Sequence, residues 1–155
     1  MKRPDFMALA IAEAEAAAER DEVPIGAVLV SAGAVIARAG NRTRELNDPT
    51  AHAEMLVIRE AGQILSAERL LKSDLYVTLE PCTMCAAAIS FARLRRLYFG
   101  ATDAKGGAVV SGVRFFTQAT CHHTPEIYPG IAESRSAELL VDFFRQKRLR
   151  SDLSV

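Results

Sequence analysis

The chain has no tryptophan, only three cysteines and no net charge, with 19 Lys plus Arg against 19 Asp plus Glu. Each shortage excludes something. Three cysteines are too few, and odd in number, for the bridged framework of a small secreted protein, so metal or redox use in a reducing compartment, the cytoplasm, is expected. Balanced charge provides no whole-molecule field to gather a polyanion, so a nucleic acid has to be held by a local patch. Long apolar runs are also missing. The longest uncharged stretch, Val23 to Ala37, is broken by Pro24, Gly26, Ser31 and Gly33 and falls short of the roughly 18 residues of a membrane span, so no membrane partner is expected. Lys2 and Arg3 ahead of an apolar run to Ala12 loosely imitate a signal peptide, but Asp5, Glu13 and Glu15 argue against one.

What is present is half hydrophobic and a quarter charged, the make-up of one globular domain over residues 1–155 with a sizeable core. Phe6, Leu9, Ala10, Ala14 and Ala17 recur at helical spacing and predict a first amphipathic helix. Ile25–Val30 and Ala34–Ala39 read as a hairpin closed by Ser31, Ala32 and Gly33. A polar loop from Asn41 leads to Pro49 and Thr50, which predict a helix entry with Thr50 as N-cap and Gly62 as terminator. Leu75–Leu79 reads as a strand, Pro81 as a first helical position, Cys82–Ala92 as a small-residue helix and Arg96–Phe99 as another strand. Asp103–Gly107 is a loop, and the stretch from there to Tyr128 carries no assignable element. A last helix is expected over Glu133–Arg150, where Phe143 and Phe144 lie about 100° apart, so that one can pack near Leu140 while the other stays free. Strands alternating with helices after an opening hairpin indicate helices layered on a mixed sheet. Arg93, Arg95 and Arg96, and Arg145, Lys147, Arg148 and Arg150, form two small basic clusters; a solvated surface accounts for either taken alone.

The chemistry lies in His52-Ala53-Glu54 and Pro81-Cys82-Thr83-Met84-Cys85. Two thiolates and a neutral imidazole neutralise Zn²⁺ and leave its fourth tetrahedral position for water, whose pKa such a site lowers to about 7. Cys82 and Cys85, three apart at a helix start, share a face, and the positive helix end favours their thiolates. His52 and Glu54 in a first turn both reach over the helix end, leaving Glu54 out of the ligand set and free to move a proton. Other uses of these residues remain open. Cys121, His122 or His123 could close the zinc site as a fourth ligand and make it structural, giving a non-catalytic RNA-binding module. Cys82 and Cys85 could be a redox dithiol, which leaves His52 and Glu54 unexplained.

His-x-Glu with Pro-Cys-x-x-Cys is the known signature of zinc nucleobase deaminases, bacterial tRNA enzymes among them. Beyond it, Glu22 to Val28, Asn41, Asp48 to Glu54, Leu75 to Cys85, Gly100 to Lys105 and Asp142 to Arg145 make the chain resemble the bacterial tRNA-specific adenosine deaminases over most of its length. The resemblance implies an α/β fold, a three-layer α/β/α domain around a five-stranded mixed sheet of the cytidine-deaminase-like kind. It also implies a homodimer with one Zn²⁺ per subunit, converting adenosine to inosine at the wobble position of a tRNA anticodon stem-loop, typically that of an arginine tRNA. By the same analogy His52, Cys82 and Cys85 hold zinc and Glu54 shuttles protons. Asn41 hydrogen-bonds the flipped base, with Val23, Pro24, Ile25 and Ala53 around it. Asp103 and Lys105 face the anticodon, and His123, Phe144 and Arg145 contact neighbouring nucleotides. Gly106, where many relatives carry Thr, and His122, where Asn often stands, depart from the family pattern. A free-base or nucleoside deaminase acting on guanine, cytosine or cytidine is the alternative within the same superfamily.

Overall fold

The computed structural model describes residues 4–153; Lys2 and Arg3 of the signal-like start lie outside the described residues. The elements follow in the order α1 (Phe6–Glu19), β1 (Gly26–Ser31), β2 (Ala34–Gly40), α2 (Ala53–Leu65), β3 (Ser73–Leu79), α3 (Thr83–Phe91), β4 (Arg96–Ala101), β5 (Glu126–Tyr128) and α4 (Glu133–Leu153). The strands form one five-stranded sheet in the order β2-β1-β3-β4-β5. β1 is antiparallel to both its neighbours, whereas β3, β4 and β5 run parallel, so the sheet is mixed as expected.

Alternation along the strands builds two cores. Ala27, Leu29, Leu75, Val77, Leu97 and Phe99 point to one face and pack with Ala53, Val57 and Ala61 of α2 and Ile89 of α3. Val28 and Val30 point to the other, under Phe6, Met7 and Ala10 of α1, with Tyr76 and Tyr98 against them. α4 joins α1 on that second face, where Ser136 sits directly over Gly100. The result is the three-layer α/β/α arrangement. No helix among the described residues is long and apolar enough to cross a membrane.

Several boundaries differ from the sequence reading, each for a local reason. The hairpin turn is two residues, Ala32 and Gly33, both at positive φ, so Ser31 belongs to β1. Thr50 is not the N-cap of α2. Its N–H and hydroxyl both go to Asp48 Oδ1, and His52 takes the cap position without a capping bond of its own. The missing acceptor comes from another segment, Asn41 Oδ1, which accepts the Ala53 N–H at 2.9 Å. α2 runs through Gly62 to Leu65 and ends because Ser66 turns left-handed, φ 49°. Pro81 precedes the cap of α3, Cys82, and is not its first helical residue. β5 lies in the stretch left unassigned. It is a three-residue edge strand between Pro125 and Pro129, tied to β4 by Arg96 on Glu126 and by Tyr128 stacked on Tyr98.

The topology puts the start of β1 and the ends of β2, β3 and β4 on one edge of the sheet, and α2 and α3 both begin there. α1 holds that edge at very short range. A Cβ on Gly26 would lie 1.9 Å from Ala10 O and 2.6 Å from Ala14 N, while the Gly26 N–H is bonded to Thr78 Oγ1 at 3.1 Å. Gly26→Ala is therefore expected to cost about 3 kcal/mol in urea unfolding by forcing α1 off the sheet; an unchanged midpoint would mean that α1 is free to shift.

Candidate metal centre and active site

The two helix starts bring His52, Cys82 and Cys85 together. Their donor atoms all lie within 4.8 Å of one another, and His52 Nδ1 is 3.6 Å from each sulfur. Zn–S bonds of about 2.3 Å and a Zn–N bond of about 2.0–2.1 Å around a tetrahedral ion separate nitrogen from sulfur by about 3.5–3.6 Å, so the donors fit zinc in type and in their nitrogen–sulfur spacing. No fourth His, Cys, Asp or Glu joins this group among the described residues. Cys121 is occupied elsewhere. Its sulfur is 3.2 Å from the His123 carbonyl and 3.6 Å from Ser90 Oγ, and Ser90 lies more than two helical turns beyond Cys82, about 12 Å along α3. His122 is exposed and outside the group, and the His123 ring bonds the Leu94 carbonyl through Nε2 at 2.7 Å. The closed site considered from the sequence is therefore not formed among the described residues, and three donors stand together.

A hydrogen bond from the Cys85 thiol, opposed by burial and helped by His52, brings Cys82 down to about 4. Cys85 is pushed up, first because it donates to Cys82 and then by burial. His52 is raised by its bond to Cys82, against burial.

Two glutamates line the cavity beside these donors, and their surroundings drive their proton affinities apart. Glu54, in the first turn of α2 and 4% exposed, has its pKa raised above the usual carboxylate range by burial. Glu80, 2% exposed, is also penalised by burial, but donors from the Asp103 N–H, the Val109 N–H and Ser111 outweigh that and hold it below its ordinary value. One acid is poised to carry a proton and the other is held ionised by the donors around it. The sequence reading passed over Glu80. A carboxylate between a strand end and a cysteine ligand was the available signal.

The cavity is about 250 Å³, lined by Ile25, His52, Glu54, Leu79, Glu80, Cys82, Asp103 and Gly106. That is below the roughly 300–1,000 Å³ of drug-sized pockets, so it admits a single ring system. Through Ile25, Leu79 and Asp103 it continues into a groove of about 550 Å³, which takes in Val23, Lys105 and, from α4, Leu140, Val141 and Phe144. α4 divides its phenylalanines as its periodicity requires, with Phe143 buried and Phe144 45% exposed in the groove.

The remaining predicted residues are more dispersed. Asn41 is 5% exposed, and because its partner is a backbone donor the atom facing Ala53 must be Oδ1, which leaves the two Nδ2 donors for another group. Pro24 is buried beneath a tight turn in which the Ile25 N–H bonds the Val23 carbonyl, and the Ala53 methyl is in the core; neither lines the cavity or the groove. Asp103 Oδ1 accepts the N–H groups of Lys105 and Gly106, so part of its carboxylate is spent shaping its own loop. Arg145 is exposed on α4 beside Phe144. His123 is not brought to the site. Its anchor, Leu94, precedes β4, at the opposite edge of the sheet and about 17 Å from the cavity.

Residues 1–101 match the family model for the cytidine and deoxycytidylate deaminase zinc-binding region. A tRNA-specific adenosine deaminase of Agrobacterium fabrum is 72% identical over 148 residues, covering 96% of this chain and 97% of that protein. One from Rickettsia bellii is 48% identical over 141 residues, 90% of this chain and 97% of its own length. A solved structure from biochemical and structural studies of A-to-I editing by tRNA:A34 deaminases at the wobble position of transfer RNA is 73% identical. It superposes with a TM-score of 0.86, covering 87% of this chain and 98% of that one. The three-donor cluster, the uncoordinated Glu54 and these matches agree: the chain belongs to the zinc-binding cytidine and deoxycytidylate deaminase family, among its tRNA-specific adenosine deaminases.

Proposed function

We propose that this chain is a single deaminase domain, residues 1–155, that hydrolyses adenosine to inosine and ammonia at the wobble position of a tRNA anticodon stem-loop, with an arginine tRNA as substrate. The observation that carries this reading is Glu54, buried and outside the three-donor cluster, its pKa raised, on the wall of a cavity sized for one ring system. His52, Cys82 and Cys85 would hold one Zn²⁺, which supplies an acidified water when bound. Glu54 takes the proton from the attacking water, delivers it to a ring nitrogen of the adenine and then passes one to the departing amine at C6. Ile25 and Leu79 exclude bulk water from the ring. Asn41 Nδ2 donates to the base while Oδ1 keeps α2 capped. Flanking nucleotides lie in the adjoining groove along Val23, Asp103, Lys105 and Phe144, with Arg145 next to it for phosphate.

A homodimer belongs to this reading. Ile64, Leu65, Leu71 and Phe91 are left exposed, and the Leu70 N–H on the Ala92 carbonyl draws the last two together on the α2 and α3 side. The free thiols of Cys82, Cys85 and Cys121 fit the reducing cytoplasm.

One assay tests the chemistry: inosine formation in a transcribed tRNA whose anticodon begins with adenosine, read by sequencing. Wild type should convert that position alone. Glu54→Gln should keep its zinc and lose about a thousandfold in turnover; normal deamination by this variant would remove Glu54 from the mechanism. Asn41→Asp retains an acceptor for Ala53 but no donor for the base. It should therefore fold with a stability within about 1 kcal/mol of wild type while its KM rises at least about tenfold. An unchanged KM would leave Asn41 as a helix cap only.

A further inference from the structure

Glu80 occupies the cavity wall without a role in the proton transfers, and its bonding is unusual for a single side chain. Oε1 accepts from the Asp103 N–H at 3.0 Å and the Ser111 hydroxyl at 2.9 Å. Oε2 accepts from the N–H groups of Val109, Val110 and Ser111 at 3.0, 2.9 and 3.0 Å. A carboxylate offers about four lone-pair sites, so these donors saturate it and leave nothing for a substrate. The loop from 102 to 114 contains no helix or strand. Its N–H groups need acceptors all the same, and this one side chain supplies them for Asp103, Val109, Val110 and Ser111.

The same loop is stitched to the metal-site backbone. The Ala108 N–H bonds the Pro81 carbonyl at 2.9 Å, and Gly107 forms an antiparallel bridge with Cys82. The approach is close enough to require glycine, since a Cβ on Gly107 would lie 2.4 Å from Glu80 Cδ and 2.5 Å from Asp103 O. The loop in turn contributes Asp103 and Gly106 to the cavity and Asp103 and Lys105 to the groove.

We propose that Glu80 is a positioning residue for substrate selection: its carboxylate fixes the loop that forms the substrate-side wall of the cavity and groove, and acts on the reaction only through that wall. This rests on the deaminase reading above and adds to it the residue that shapes RNA binding. The amide variant makes a specific prediction. With its single carbonyl oxygen facing the three N–H groups at Val109, Val110 and Ser111, glutamine turns its NH₂ toward the Asp103 N–H. Donor then opposes donor, and the loop comes loose at its Asp103 end first.

The test uses the zinc-loaded full chain as wild type, Glu80→Gln and Glu80→Ala. Residue-resolved amide hydrogen exchange without substrate, zinc content per chain, and kcat and KM on the adenosine-34 tRNA are measured. In Glu80→Gln, exchange at Asp103 should accelerate about tenfold or more while Val109 and Val110 stay protected. KM should rise by about tenfold with kcat changed less than about threefold and zinc content unchanged. Glu80→Ala should release both ends of the loop; should it fail to fold, Glu80→Gln still decides the matter. Unchanged exchange at Asp103, loss of zinc, or a fall in kcat at constant KM would each overturn the proposal. Inactivity of the wild-type chain on tRNA would contradict the deaminase reading instead, and the exchange measurement, which needs no substrate, keeps the two failures apart.

Discussion

Helices α2 and α3 start close enough to bring His52 Nδ1 within 3.6 Å of both cysteine sulfurs because β1 lies antiparallel to β3, and the rest of the site is built on that meeting. The antiparallel pairing puts Gly26 and Gly40 beside the ends of β3 and β4, so the segments that leave β2 and β3 enter their helices over the same sheet edge. Each helix presents a positive end there, and each gives up its ordinary capping side chain to another task. His52 and Cys82 both stand at N-cap positions, and neither caps. They are turned toward one another and toward Cys85, and Asn41 from a distant loop makes good the lost bond on α2. Capping has been exchanged for coordination.

Placing that centre in a small cavity gives burial a second use. Glu54 and Glu80 both have little solvent exposure but differ in their donors and neighbours. Glu80 is surrounded by N–H groups and a hydroxyl and is held ionised. Glu54 lacks such a shell, so burial dominates and its affinity for a proton rises. A fold that needs a proton carrier and a loop anchor side by side makes both from the same residue type by arranging backbone amides around one of them.

What could be read from the sequence was what is local. Cys82 and Cys85 three apart, and His52 two before Glu54, carry their geometry in their spacing, and the division between Phe143 and Phe144 follows from the helical period. What could not be read depends on partners far along the chain. Asn41 caps a helix twelve residues on, so the nearer Thr50 looked like the cap although Asp48 takes both its donors. Glu80 binds a loop that returns about thirty residues later, so its place beside a cysteine ligand could flag it but not reveal its partners. β5 is three residues between prolines, held by Arg96 and the tyrosine stack, too short to show an alternation. His123, to which the family analogy gives a role at the RNA, has its ring bonded to the Leu94 carbonyl ahead of β4, a partner that its neighbours in sequence do not reveal.

We propose an open metal centre: three protein donors, one position left for water and Glu54 outside the ligand set. Zinc K-edge X-ray absorption on the zinc-loaded protein tests this directly. Two sulfurs at about 2.3 Å, one imidazole nitrogen at about 2.0 Å and one exchangeable light atom are the predicted shell. A fourth protein ligand, whether a third sulfur, a second imidazole or the Glu54 carboxylate, would contradict it.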